Sequence, residues 1–212
     1  MAFLGFFGSG SQVYSEAIFF EPLVTALFFL VVFFLFGLVL KYVKSSTEEE
    51  VFSKEKAFIL SSVFGVIAAF VASLNAEAGT LVIAIVLGAI LSRKMNNAAL
   101  IAGFASFAMT LIVMNNLALL LLPTLVIAIA FAVDEIAKDY FDGMRREEAR
   151  FGFLHFFFSN RMTRIIAVLY FAFAAAFSWI YFIPLLAFNV GFTAMELHAS
   201  GLKRKWKPEK IR

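Results

Sequence analysis

Three carboxylates in the segment VDEIAKDYFDG are spaced to act together. Glu135 and Asp139 are one helical turn apart and Asp142 about one turn further, so a helix would project all three along one stripe. Such a stripe suits Mg²⁺, which takes one or two carboxylates and leaves its other positions to phosphate oxygens. Lys138 and Arg145, with Arg146, would neutralise phosphate charge beside it. The same residues also describe a helix emerging from an apolar layer into a solvated face, and spacing leaves both readings open. Asp134 adjoins the stripe where the apolar run ends. A second constellation is Asn189, Thr193 and Glu196, spaced i, i+4, i+7 on one helical face, with His198 just beyond. These residues either line the same cavity as Asp134 and Glu135, with Glu196 as a base or metal ligand, or form a hydrogen-bonding face between helices. The chain has no cysteine, which excludes disulfide scaffolds, thiolate metal sites and Cys nucleophiles.

The elements that must position these groups follow from composition. Hydrophobic residues make up 62% of 212, charged residues 16%, and mean hydropathy is +0.91. Globular proteins carry roughly a quarter charged residues, so a soluble core of this size could not hide so much apolar surface. The apolar stretches are continuous rather than alternating, which excludes an outer-membrane barrel. The expectation is an all-α polytopic membrane helix bundle forming one domain over 1–212. Apolar runs extend over Phe20–Leu40, Ala57–Leu74, Thr80–Leu91, Ala98–Met114, Leu117–Val133 and Thr163–Ser200. The last is about twice the length of a single crossing, and Pro184 supplies a breaker. About seven transmembrane helices result.

Charge position orients them. If the spans are seven, all 18 Lys and Arg fall on one side: around Lys41 to Lys56, at Arg93 and Lys94, from Lys138 to Arg164, and in the C-terminal tail. Basic loops are cytoplasmic, so the N-terminus is expected outside and the C-terminus inside, in a multi-pass protein of the cell membrane. Residues 1–19 read as a loose or interfacial segment without a cleavable signal, and 201–212 as a basic cytoplasmic tail. The inner positive rim suits anionic lipid headgroups or phosphates, not nucleic acid. TLVIAI occurs at Thr80–Ile85 and again at Thr124–Ile129, an internal repeat. Gly65 and Gly103 are read as close-packing positions between helices, and His155 as part of an interfacial amphipathic segment.

The segment DEIAKDYFDG, a basic loop and then SNRMTRIIAVLYFAFA resemble the second acidic motif of the UbiA superfamily of intramembrane prenyltransferases. Glu135, Lys138, Asp139 and Asp142 match the E-I-x-K-D-x-x-D pattern of its archaeal members. LSRKMNN is similar to the family's Y-S-x-x-K loop, with Ser92 and Lys94 at the matching positions. The resemblance covers most of the chain from the first helix onward. It implies Mg²⁺ at Glu135, Asp139 and Asp142, diphosphate held by Lys94, Lys138 and Arg145, and prenyl diphosphate and a hydrophobic acceptor as partners besides the bilayer. Family members usually have nine helices and a first motif, N-D-x-x-D-x-x-x-D. The equivalent region here carries Lys41 and Lys44, then Glu48, Glu49 and Glu50.

Three functions are therefore expected in competition. One is a UbiA-like transferase moving a polyprenyl group from its diphosphate to a lipid or aromatic acceptor. Another is a non-catalytic relative binding an isoprenoid or a partner, consistent with the altered first motif. The third is a small transporter lined by Asn189, Thr193 and Glu196, disfavoured because the mid-depths carry almost no ionisable groups.

Overall fold

The computed structural model describes residues 22–48, 50–92, 97–143, 152–174 and 177–206. The described residues are 88% helical, with no strand among them. The helices are α1 (Pro22–Glu48), α2 (Lys54–Ala72), α3 (Ala76–Leu91), α4 (Ala98–Met114), α5 (Leu121–Gly143), α6 (Gly152–Ser159), α7 (Met162–Phe173) and α8 (Phe182–Trp206). Among the described residues, three stretches are long and apolar enough to cross a membrane: Val24–Thr47, Lys54–Ala72 and Trp179–Lys203. α3, α4 and α7 are shorter apolar helices.

Helix starts are set by polar caps. The Ser53 side chain accepts from Lys56 N, Asn75 from Ala78 N and Asn97 from Ala99 N, each satisfying a donor that a first helical turn leaves unpaired. α1 continues past Leu40, so Lys41 and Lys44 lie on its last turns rather than in a loop. In the final apolar run α7 ends at Phe173, and a 3₁₀ turn of Trp179–Tyr181 leads into α8, before Pro184. Pro184 sits in the first turn of α8 instead, where its missing N–H costs no hydrogen bond. Residues 201–206, expected in the tail, continue α8, whereas 1–19 lie outside the described residues.

α1 packs on α8, α2 on α4, α3 on α5, and α5 on α7. Small residues allow these approaches. A Cβ on Gly65 would stand 2.2 Å from Gly103 O, and one on Gly191 2.2 Å from Phe34 O, so α2 meets α4 and α8 meets α1 backbone to backbone. The sequence repeat has a structural counterpart. Thr124 Oγ1 donates to Thr80 Oγ1 at 3.4 Å across 44 residues, and the capped starts of α2 and α4 keep that same offset. The hairpins α2–α3 and α4–α5 thus lie side by side in register.

Phe29, Phe33, Leu81, Ile127, Phe131, Leu185 and Phe188 fill the core. The outer faces are apolar as well: Ile59, Ile112, Val113, Leu121, Leu125 and Ile129 are all exposed. Soluble monomers rarely expose contiguous apolar surface on this scale, and the outer faces are compatible with contact to membrane lipid. The ends of the bundle differ in chemistry. At one, Asn75 Nδ2 donates to Tyr181 OH at 2.5 Å, and Ser178 N donates to Glu77 Oε1 at 3.1 Å. The other end collects the buried charges.

Candidate functional site

Four helices contribute to the charged end. α5 brings Asp134, Glu135 and Lys138, α1 brings Lys41 and Lys44, the start of α7 brings Arg161 just before the helix and Arg164 in its first turn, and α8 supplies Phe192 and Glu196. Asp134, fully buried, works as a cap in trans. Its Oδ1 accepts from Thr163 N at 3.1 Å and its Oδ2 from Arg164 N at 3.0 Å. Those are the N–H groups that an N-cap side chain would normally take, and Arg161, the residue at that position, provides no side-chain cap. Arg161 instead adopts a left-handed backbone, φ 55°, with its guanidinium facing inward. That conformation costs on the order of 1–3 kcal/mol for a non-glycine residue and persists where surrounding contacts over-determine it.

Those contacts are ion pairs. Arg161 Nε donates to Glu135 Oε1 at 3.0 Å, and its Nη2 reaches Glu196 Oε2 at 3.4 Å. Lys44 Nζ donates to Glu135 Oε2 at 3.2 Å. Lys138 Nζ bonds to Glu196 Oε1, and Lys41 Nζ stands 3.8 Å from the same oxygen. Two guanidinium groups also face aromatic rings: Arg161 lies 4.1 Å from the Phe192 centroid, and Arg164 lies 4.4 Å from Phe131 and 5.3 Å from Phe188. Desolvated cation–ring contacts of this kind are worth ~2 kcal/mol or more each. Arg164 Nε and Nη2 have no hydrogen-bond partner, and Asp134 Oδ2 is 4.0 Å from Nε.

Two cavities meet here. A small one of about 40 Å³ is walled mainly by apolar side chains such as Leu40, Ile85 and Phe131, with Lys44, Ser92, Glu135 and Arg164 at its border. An apolar one of about 130 Å³ lies between α1, α2, α3 and α4, lined by Phe36, Phe64, Val82, Gly103 and Phe107 among others. They share Leu40, Ile85, Ala89, Leu100 and Phe188, so the apolar space lies beside the charged end across these side chains. An apolar cavity of about 150 Å³ takes a benzene molecule, so this one accommodates a short hydrocarbon segment.

The structure brings Asp134, Glu135, Lys138 and Glu196 together, as the sequence allowed. Asp139 is exposed on α5 and Thr193 exposed on α8, while Asn189 is half-buried with both side-chain polar atoms lacking a hydrogen-bond partner. The Asp142 side chain, Lys94 and Arg145 lie outside the described residues. Glu48 and Glu49 fall outside the described side chains, and Glu50 is exposed, 3.7 Å from Lys54. Both Glu135 oxygens are engaged by cations, and among the described residues no three Asp, Glu, His or Cys are grouped to hold a metal ion. Sequence reasoning missed Lys41, Lys44, Arg161 and Arg164 as site residues. Their signal was the i, i+3 pairing of each couple at the edge of an apolar run, which turns both members to one helical face.

No family model, curated protein or solved structure matches the chain.

Proposed function

We propose that this chain is a membrane-embedded, UbiA-like binding protein for an isoprenoid-type amphiphile, an apolar chain ending in an anionic head, without prenyl transfer. The observation that carries the reading is the adjacency of the two cavities, which sets hydrocarbon-sized space beside a cluster of buried cations. The arrangement suits a ligand with one apolar and one anionic end, and the paired Glu135 disfavours metal-assisted ionisation of a diphosphate. Saturable binding of a radiolabelled prenyl phosphate or diphosphate to the purified chain, with no product formed, is the expected result. Absence of saturable binding would refute it.

Seven spans, with the N-terminus outside and the C-terminus inside, accompany this reading. The collection of Lys41, Lys44, Lys138, Arg161 and Arg164 at one end of the bundle supports it. The cysteine-free chain makes a direct test simple. A cysteine at Leu117 should react with an impermeant maleimide on intact cells, and one at Lys203 only after permeabilisation. Labelling of both from one side would overturn the topology.

Mg²⁺-dependent prenyl transfer to a lipid or aromatic acceptor is the second reading. The exposed Asp139, one turn beyond Glu135 in the order of the family pattern, favours it. Turnover of labelled prenyl diphosphate that Asp139→Ala abolishes would establish that activity and displace the binding-only reading.

A further inference from the structure

The guanidinium of Arg164 is buried with part of its donor edge unused. Its side chain is 2% exposed, and Nε and Nη2 have no hydrogen-bond partner. Charge is not what it lacks. Asp134 Oδ2 stands 4.0 Å from Nε, too far for a hydrogen bond but close enough to serve as counter-ion. Both Asp134 oxygens accept from backbone N–H groups at the start of α7, which holds the carboxylate in place. The guanidinium lies against the rings of Phe131 and Phe188, and its N–H groups lie in its own plane, so only the edge can meet an acceptor. A desolvated donor left without one is unfavourable on the scale of a lost hydrogen bond.

Arg164, Phe131 and Phe188 all border the small cavity, whose other walls are mainly apolar, Leu40, Ile85 and Leu100 among them. The other charged pair at its border, Lys44 with Glu135, is bonded at 3.2 Å. An unused donor edge within apolar walls selects a neutral oxygen on an apolar body. A further anion would face the existing counter-ion, Asp134. A hydroxyl would bring another donor to a place that lacks an acceptor, whereas a carbonyl only accepts. A water would satisfy the edge but leave the apolar walls against a polar molecule. The cavity, about 40 Å³, holds roughly three water-sized groups at ~10–15 Å³ each, the scale of an ester carbonyl.

We infer that the small cavity is a subsite for the carbonyl oxygen of a neutral, lipid-soluble ester or ketone, with Arg164 Nε and Nη2 as donors. The hydrocarbon part lies along Leu40, Ile85, Ala89 and Leu100, side chains shared with the apolar cavity. Nε and Nη2 are on one side of the guanidinium, so both can donate to the two lone pairs of a single carbonyl oxygen. No anionic head takes part, and the inference therefore goes beyond the amphiphile reading without depending on it.

The test uses the full chain in nanodiscs of ether-linked phosphatidylcholine, which add no lipid carbonyl. Methyl farnesoate and farnesyl methyl ether serve as a matched pair differing in the carbonyl, with farnesyl monophosphate as a separate probe of the amphiphile reading. Methyl farnesoate should bind saturably and at least about tenfold tighter than the ether, the factor expected of a hydrogen bond to a charged donor. Arg164→Met should bring the two affinities to within about twofold of each other. If that variant does not fold, the unaltered protein decides: infrared spectra of the carbonyl-labelled ester should show its stretch at lower frequency when bound than in empty nanodiscs. Equal affinity of the pair, a preference that survives in Arg164→Met, or an unshifted carbonyl stretch would each overturn the inference. Saturable farnesyl monophosphate binding with no ester preference would sink the inference and leave the amphiphile reading standing. Ester preference without farnesyl monophosphate binding would do the reverse.

Discussion

Replacing Asp134 with alanine tests the construction of the charged end most directly. The carboxylate is fully buried and accepts from Thr163 N at 3.1 Å and Arg164 N at 3.0 Å. Each charge-assisted bond contributes ~1.5–3 kcal/mol, and removing one member of a buried ionic set costs ~3–5 kcal/mol because the remaining charge stays desolvated. The two figures describe overlapping losses at one carboxylate, so the expected destabilisation is about 3–5 kcal/mol rather than their sum. Asp134→Asn keeps one oxygen acceptor and should lose roughly half as much. Asp139→Ala, on the same helix but exposed, should cost less than about 1 kcal/mol, the scale of an exposed ion pair. Equilibrium unfolding in mixed micelles titrated with sodium dodecyl sulfate measures all three. Asp134→Ala within about 1 kcal/mol of the parent, or an equal cost for Asp139→Ala, would refute the capping argument.

Other perturbations probe the cavities and the packing. Ala89 borders both cavities, so Ala89→Phe should intrude on both and reduce binding of a farnesyl probe about tenfold or more in a nanodisc assay, with little change in circular dichroism. Glu135→Gln removes a carboxylate charge that both Lys44 and Arg161 contact, so the affinity for a farnesyl phosphate probe should rise about threefold or more in competition binding. Gly65→Leu would drive a side chain into Gly103 O and should cost about 1–3 kcal/mol in the same unfolding assay. A neutral result there would mean that α2 and α4 can separate freely.

The local features of the fold were legible in the sequence. Apolar run lengths anticipated α2 and α4 closely, and the acidic segment does lie on one continuous helix, α5. Gly65 and Gly103 do meet across a helix pair. These outcomes depend on chemistry within a few residues, on caps, on side-chain size and on the absence of breakers. The end of α1 was misread for a related reason. A hydropathy argument takes Lys41 and Lys44 to mark where a span stops, whereas α1 continues and buries Lys41 to 5% exposure.

The site itself was decided by tertiary structure. Composition and spacing supplied the carboxylates of α5 and α8, and a reason to suspect phosphate chemistry. They did not supply the pairing of Glu135 with Lys44 across 91 residues, of Glu196 with Arg161 across 35, or of Asp134 with the start of α7. Whether a carboxylate can offer oxygens to a metal or already has them engaged by cations depends on which helices become neighbours. That arrangement comes from packing over the whole bundle, from contacts such as Gly191 against Phe34 and Thr80 against Thr124. The sequence alone determined that the chain folds into apolar helices with its basic residues grouped, because run length and charge position are local properties. Only the tertiary structure decided that the group is a buried, cation-rich pocket beneath an apolar cavity, because the energy of a buried charge is set by partners brought from distant parts of the chain.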